Sequence, residues 1–299
     1  MTKDHENDKT PRLVLGLPKG SLQEATFSMM RKAGFNIEAS ARSYLPSVDD
    51  QELRIRLLRA QEISRYVESG HLDAGITGKD WITENDSDVV AVTELLYAKQ
   101  GLRPVRWVLA VPDASPYRCP ADLAGKRVAT EAVGLTRRYF AARNIEVDLE
   151  FSWGATEVKT PELVDGIVEL TETGSSLRAH NLRIIDTVLE STTQLIAGRE
   201  AWDDVWKRQK IEQLKILLQG ALAAETRVLL KLNVARANLD AVVGLLPSLH
   251  APTINPLSAN DWIAVETVVE ERIVRELIPS LKQNGAEGII EVPLNKVIP

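Results

Sequence analysis

Residues 171–176 read Thr-Glu-Thr-Gly-Ser-Ser, placing four hydroxyls, a carboxylate and one glycine in six positions. Residues 163–170 before them are rich in Leu, Val and Ile, a pattern that predicts a mostly buried strand. Residues 178–182 can continue as a helical turn. A strand running through such a turn into a helix start aims several backbone N–H groups at one spot, and the helix dipole adds to the attraction for a phosphate. Glycine permits positive φ and close ligand approach, while hydroxyls bond the remaining phosphate oxygens. A second turn, Pro18-Lys19-Gly20-Ser21, lies between an apolar strand at 12–17 and a helical pattern at 22–33. It has the look of a phosphate loop without being a Walker A motif. Arg54, Arg56 and Arg59 concentrate positive charge on a strand at 53–58. Alternation puts Arg54 and Arg56 on one face, and Arg59 at the strand's end, where open α/β sheets hold ligands. Taken alone, each turn also fits a plainer description. The first suits a capped loop, Lys19 a solvated turn lysine, and the arginines surface pairs with Glu52 and Glu62, which would be worth little.

Composition narrows the classes. The chain has 299 residues, a length that predicts two or three structural units, and at 44% hydrophobic and 26% charged it can bury a large core. Cys119 is the one cysteine, so neither an intrachain disulfide nor a cysteine-based zinc site is available, which fits a reducing compartment. The net charge of −6 argues against broad nucleic-acid binding. Residues 1–10 are polar and do not read as a signal peptide, and no apolar run approaches a membrane span. The expectation is a soluble cytoplasmic protein with no nucleic-acid or membrane partner. The four histidines show no metal-ligand spacing, and His71, His180 and His250 read as structural or loop residues.

These groups need elements to position them. After the strand at 53–58, residues 61–69 predict a short helix, and a strand around 72–76 ends in Thr77-Gly78 before another helix start. Long strands are predicted at 89–97 and 105–111, with Arg103-Pro104 between them as a boundary. A fresh series follows, with GKRVAT at 125–130, a helix at 135–143, a strand at 145–151 and the turn Trp153-Gly154-Ala155-Thr156-Glu157. Two such alternations predict a pair of parallel α/β units facing one another across a ligand cleft. The apolar stretch 181–196 would carry the chain back to the first unit, and 202–222 predicts one long amphipathic helix for packing or dimerisation. The tail, strand at 226–234, helix at 239–246, strands at 253–257 and 262–269, helix at 273–281 and strand at 288–292, has the βαββαβ order of a ferredoxin-like unit.

Six pieces in order resemble one family: LPKGSL at 17–22, GHLDAGITGKDW at 70–81, GKRVAT at 125–130, WGATEV at 153–158, DGIVELTETGSSLRAHNLRI at 165–184 and APTINPL at 251–257. They are similar to the long form of ATP phosphoribosyltransferase, the first enzyme of histidine biosynthesis, over nearly the whole chain. The resemblance implies an α/β fold with two lobes related to periplasmic binding proteins, and a ferredoxin-like (ACT-like) regulatory domain. Lobe one would take 11–103 and 190–224, lobe two 104–189, and the regulatory domain 225–299. The implied reaction joins N1 of ATP to phosphoribosyl pyrophosphate (PRPP) with release of pyrophosphate, Mg²⁺ entering mainly through the substrate phosphates. The family forms dimers that assemble into hexamers. By the same resemblance Thr171, Thr173, Gly174, Ser175, Ser176 and Leu177 hold the PRPP 5-phosphate, and Glu169 or Glu172 faces the ribose hydroxyls or orients metal-bound water. Lys19, Arg59 and Arg54 meet pyrophosphate or ATP phosphates, with Gly20 and Ser21 in the same turn. Gly75, Thr77 and Gly78 line the opposite lobe, while Gly154 and Glu157 close the cleft. Histidine would act as allosteric inhibitor in a pocket including Asn233, Leu249, Thr253, Val268 and Gly288. The chain departs from the family pattern at Ser21, where Arg is common, at Glu169, where Asp is usual, at Ser176, where Thr is common, and at Ala60-Gln61, which are acidic in many members. Two other readings remain, a two-lobed solute receptor, and a noncatalytic or partner-dependent two-lobed protein that binds nucleotide or PRPP.

Overall fold

The computed structural model describes residues 11–40, 43–98, 101–247, 251–258 and 261–298. In the first lobe β1 (Leu13–Lys19) leads to α1 (Gln23–Ala33), and the two-residue strands β2 (Ile37–Glu38) and β3 (Ser47–Val48) pair as a small ribbon. Then come β4 (Leu53–Arg59), α2 (Ala60–Glu68), β5 (Ala74–Gly78), α3 (Lys79–Asn85) and β6 (Val90–Leu95). β1 pairs in parallel with both β4 and β5. Its Leu13, Leu15 and Leu17 on one face are wholly buried, and Gly16 and Pro18 on the other are buried too, as suits a strand covered on both faces. On β4 the alternation is as expected: Leu53, Ile55 and Leu57 are buried, Arg54 is exposed and Arg56 half-buried. α2 seats closely on this sheet. A Cβ on Gly75 would lie 2.4 Å from Ile63 Cγ2, and one on Gly16 2.6 Å from Leu72 Cδ1, so both positions exclude a side chain.

The second lobe contains β7 (Val105–Pro112), β8 (Arg127–Thr130), α4 (Val133–Ala141), β9 (Asp148–Phe151), β10 (Gly166–Thr171), α5 (Ser175–Ala179) and β11 (Leu182–Ser191). Its sheet runs in the order β11-β7-β10-β8-β9, with β8, β9 and β10 parallel and β7 antiparallel to its neighbours. The chain then returns to the first sheet as β12 (Thr193–Ala197), antiparallel to β5 and β6, completing the order β4-β1-β5-β12-β6. The stretch 181–196 is therefore two strands in two sheets, with the crossing at Ser191–Thr193. The strand expected at 163–170 starts later, because Leu163 is more than half exposed while Val164 is buried in the turn before β10. The single helix expected at 202–222 is α6 (Arg199–Asp203) and α7 (Val205–Ala224). Asp204 separates them, its backbone extended at ψ 120°, and its carboxylate accepts from the Lys207 amide at 2.9 Å as the N-cap of α7.

By packing, the chain divides inside α7, into a unit running to Lys215 and a second, Ile216–Pro299, that also takes in Lys32–Gly34. The division falls ahead of the boundary expected at 225. The second unit contains β13 (Arg227–Ala235), α8 (Leu239–Val243), β14 (Thr253–Pro256), β15 (Trp262–Glu270), α9 (Glu271–Gln283) and β16 (Ala286–Pro293). The observed order is βαββαβ, and the antiparallel sheet runs β14-β15-β13-β16. Val228, Leu230, Leu232 and Val234 on one face of β13 pack with Ile263 and Val265 of β15, Val242 of α8, and Val274, Leu277 and Leu281 of α9.

Within the first unit a buried carboxylate joins the two lobes. Asp80, near the start of α3, accepts from Trp107 Nε1 of β7 at 2.7 Å and from Ser191 Oγ at 3.0 Å. Its amide donates to the same Ser191 Oγ at 3.0 Å. Nearby, Glu84 of α3 accepts from the amides of Gly134 and Leu135 at 2.9 and 2.6 Å, capping α4 from the other lobe. Burial raises the Asp80 carboxyl above its ordinary pKa, against the bonds from Trp107 and Ser191, which lower it.

Asp80→Ala leaves the indole N–H and the serine hydroxyl without their acceptor and should cost roughly 2–4 kcal/mol in urea unfolding. A loss below about 0.5 kcal/mol would remove this carboxylate from the structural account. The raised pKa sets the sign of a pH effect. The contribution of Asp80 is fully present below its unfolded pKa and is lost as pH rises through the folded one. Asp80→Asn does not titrate, so it should gain stability on the parent as pH rises from acid to neutral.

Candidate active site

Both lobes bring strand ends to one cleft, as open α/β sheets do. A cavity of about 270 Å³ is lined by Lys19, Ser21, Arg59 and Gly78 from the first lobe, and by Glu131, Leu170 and Glu172 from the second. Arg103 and Thr192–Thr193 line it from the two chain crossings. Cationic groups stand mainly on one wall and carboxylates on the other.

The phosphate-type turn is built locally. Thr171 ends β10, and its hydroxyl accepts from the Gly174 amide at 2.7 Å. Gly174 takes the left-handed conformation at φ 73°, and Ser175 starts α5. Thr173 Oγ1 donates to Ser175 Oγ at 3.0 Å, and the Arg178 guanidinium donates to the Thr173 carbonyl at 3.1 Å. Leu177 is buried and anchors the short helix, while Thr173, Ser175 and Ser176 are exposed. An αL glycine leading directly into a helix start has the backbone pattern of an anion nest, and here its amides are held by the turn's own hydroxyls, Gly174 by Thr171 and Ser175 by Thr173. Ser176 Oγ donates to Glu157 Oε1 at 2.6 Å, tying this turn to the one at 153–157.

Glu169 is half-buried on β10 and accepts from the Leu170 amide at 3.1 Å. Burial raises its pKa most. Bonds from Thr156 and Leu170 oppose that, and the neighbouring Glu157 and Glu131 charges add to it. Lys19 turns its ammonium to the Ser43 carbonyl at 3.2 Å, 3.7 Å from the centroid of the Tyr44 ring. Arg59 pairs through its backbone with Lys19 at the end of β4, while its guanidinium has no hydrogen-bond or ion-pair partner among the described residues. Gly20, with φ 109°, brings the first turn close enough that a Cβ there would lie 3.4 Å from Arg59 Nη1.

Four expected site residues sit elsewhere. Arg54 is at the opposite end of β4 from Arg59, five residues or about 16 Å along the strand, and lines a separate surface pocket with Arg12 and Leu45. Gly75 faces α2, where Ile63 and Val67 occupy the space a side chain would need. Thr77 is fully buried and donates to the Ala60 carbonyl at 2.7 Å, stitching β5 to the start of α2. Gly154 has φ 130° in the turn that carries Glu157, and it does not line the cavity.

Glu131 is the functional candidate that the motif reading passed over. It follows β8 immediately, and Thr130 pairs with Val168, so Glu131 stands beside Glu169, which lies within the adjacent parallel strand β10. A residue just past a parallel strand's carboxyl end is a ligand-edge position, and that signal was present in GKRVAT-Glu131. Gln61 Nε2 donates to Glu131 Oε1 at 3.0 Å across the cleft.

Among the second unit's candidates, Asn233, Val268, Thr253 and Gly288 share the sheet face opposite its helices. Asn233 and Val268 alternate with the buried positions of β13 and β15, and Thr253 pairs with Glu266 on that same face. A Cβ on Gly288 would lie 3.4 Å from Asn233 Nδ2. Leu249 lies outside the described residues.

Comparisons with known proteins agree on a family. The model described as "HisG: ATP phosphoribosyltransferase" matches residues 59–220, and that for "HisG, C-terminal domain" matches 224–296. The ATP phosphoribosyltransferase of Desulforudis audaxviator is 58% identical over 288 residues, 96% of this chain and 100% of its own. That of Chlorobaculum parvum is 55% identical over 286 residues, covering 96% and 97%. Among solved structures, the ATP phosphoribosyl transferase (HisG:HisZ) complex from Thermotoga maritima aligns with TM-score 0.60 at 25% identity, covering 69% of this chain and 96% of that one. With relatives this similar along almost its full length, the chain belongs to the ATP phosphoribosyltransferase family of transferases.

Proposed function

We propose that the protein transfers the 5-phosphoribosyl group of PRPP to N1 of ATP with release of pyrophosphate, the committed step of histidine biosynthesis. The observation that carries this reading is the turn at 171–177, where Thr171 holds the Gly174 amide and an αL glycine opens a helix. It suits the 5-phosphate of a phosphoribosyl donor. One bond forms, from adenine N1 to the anomeric carbon, and one breaks, from that carbon to pyrophosphate oxygen. The nucleophile is a ring nitrogen that the substrate brings, so the protein's task is to position two substrates and balance charge. Positive charge develops on the ribose beside Glu169 and Glu172. Negative charge leaves with the pyrophosphate toward Lys19, Arg59 and Arg103. Glu169 and Glu172 are hard oxygen donors of the kind Mg²⁺ takes, directly or through water, and the metal would neutralise pyrophosphate charge while bound mainly by the substrate's oxygens.

The second unit would bind histidine as a feedback inhibitor on the open face of its sheet, where Asn233 and Gly288 adjoin. The reading includes assembly of identical chains and a cytoplasmic setting. No helix among the described residues is long and apolar enough to cross a membrane.

Purified protein with ATP, PRPP, Mg²⁺ and pyrophosphatase should generate the absorbance of an N1-substituted adenine. No product, with PRPP still bound, would favour a noncatalytic or partner-dependent protein. Gly174→Asp puts a carboxylate into the phosphate turn and should abolish PRPP binding by calorimetry; unchanged affinity would take the turn out of the site. Glu169 must be ionised to face the ribose cation, and its pKa is raised. The acid limb of kcat should therefore lie at higher pH than an ordinary glutamate gives, and Glu169→Gln should lose that limb along with about a hundredfold in kcat. Thr253→Ala should raise the histidine concentration for half-inhibition by up to about tenfold; full sensitivity in that variant would count against the open face as the effector site.

A further inference from the structure

A second cavity adjoins the first. Its volume is about 570 Å³, within the roughly 300–1,000 Å³ usual for small-molecule sites. Arg59, Gln61, Trp81 and Glu131 line both cavities, so the two meet at the Gln61–Glu131 hydrogen bond. The remaining wall is unusual. Trp153 is 92% exposed and Phe151 44%, their ring centroids 4.7 Å apart and their planes 89° from one another. A tryptophan in water forfeits the burial that would repay its apolar area. Here its backbone is also held. Ser152 Oγ bonds Thr156 Oγ1 at 3.0 Å within the same turn, and Glu157 closes that turn onto Ser176 of the phosphate-type loop. Gly154 follows with φ 130° and carries no side chain that could lie over the indole. Arg59 and Arg65 line the cavity, and neither guanidinium has a carboxylate partner among the described residues.

We propose that Trp153, backed by Phe151, is the stacking surface for the adenine ring of ATP, with Arg59 and Arg65 receiving its phosphates. An uncovered aromatic face, two guanidiniums and a carboxylate at the junction match the parts of an adenine nucleotide: a π face, a polyanion and an exocyclic amine that donates. The inference rests on the transfer reading, and it supplies what that reading lacks, a place for the second substrate. The tie between Glu157 and Ser176 puts this platform next to the loop assigned to the phosphoribosyl donor, so the ring nitrogen and the anomeric carbon are presented from neighbouring turns. Arg59 then serves both substrates from the shared wall.

The test is a pair of variants, Trp153→Ala and Trp153→Phe, with KM measured separately for ATP and PRPP and with ATP quenching of tryptophan emission read in the absence of PRPP. Aromatic–base stacking predicts an ATP KM about tenfold to a hundredfold higher in the alanine variant, and largely restored by phenylalanine. PRPP KM should stay within about twofold, and the quenching seen in the parent should fall in Trp153→Phe to the part that Trp81 in the shared wall contributes. An ATP KM in Trp153→Ala equal to the parent's would overturn the proposal. An unchanged ATP KM accompanied by altered sedimentation would overturn it in favour of a subunit contact. Quenching is read without turnover, so the two readings fail separately. Trp153-dependent quenching in a protein that makes no product keeps the platform and sinks the transfer. Normal turnover with an indifferent Trp153 does the reverse.

Discussion

The catalytic unit depends on one buried carboxylate. Asp80 receives the indole N–H of Trp107 and the hydroxyl of Ser191, and so holds together a helix of the first lobe, a central strand of the second, and one of the two places where the chain crosses between them. Burying a carboxylate is expensive, and its raised pKa reflects that cost. The return is directional. Apolar contact between lobes tolerates sliding, whereas two hydrogen bonds converging on one side chain fix register as well as distance. Trp81, next in sequence, packs edge-on against Trp107 at 5.7 Å, so the polar joint sits within an apolar one. Glu84 extends the joint by closing the N-terminus of α4 from the opposite lobe, and Arg138 of α4 reaches back to the carbonyls of Thr83 and Glu84.

That joint positions the cleft's charges. Arg59 stands at the end of β4, and Glu131, just past β8, lines the same cavity with Glu169 of β10 as its neighbour. A reaction that separates charge between a ribose and a departing pyrophosphate requires this kind of division, with little other chemistry from the protein. The arrangement also explains why a carboxylate of raised pKa is tolerable here. Glu169 crowds Glu131 and Glu157 in a partly dry wall, a cost in the free protein that a cationic transition state would offset.

Much of this was legible from residue order, and the failures have a common cause. Period-two alternation located the buried face of β4 and so separated Arg54 and Arg56 from Ile55 and Leu57. It does not say which end of the strand meets the cleft: Arg59 lines the cavity, whereas Arg54 lies at the other end of β4 on a separate surface pocket. Gly75 and Thr77 lie in a motif rich in small residues, where smallness serves close helix seating and a buried hydroxyl bond as readily as ligand approach. The break at Asp204 turned on a side chain capping its own helix, a competition that apolar periodicity does not register. Glu131 carried no motif of its own. Only the pairing of β8 beside β10, which is set by tertiary topology, makes it the neighbour of Glu169.

Two departures from the family pattern can be followed into the geometry. A glutamate where aspartate is usual adds one methylene, and the longer side chain would be expected to reach further into the cleft. Instead Glu169 Oε1 accepts from the amide of Leu170, the next residue along the same strand. The carboxylate folds back on its own backbone, and much of the added length is spent in that turn. Serine at position 21 removes a cation from the first turn, yet Arg103 lines the same cavity from the crossing between lobes. Arg103 thus adds to the charge that Lys19 of β1 and Arg59 of β4 bring to that wall, from the segment that links the two lobes.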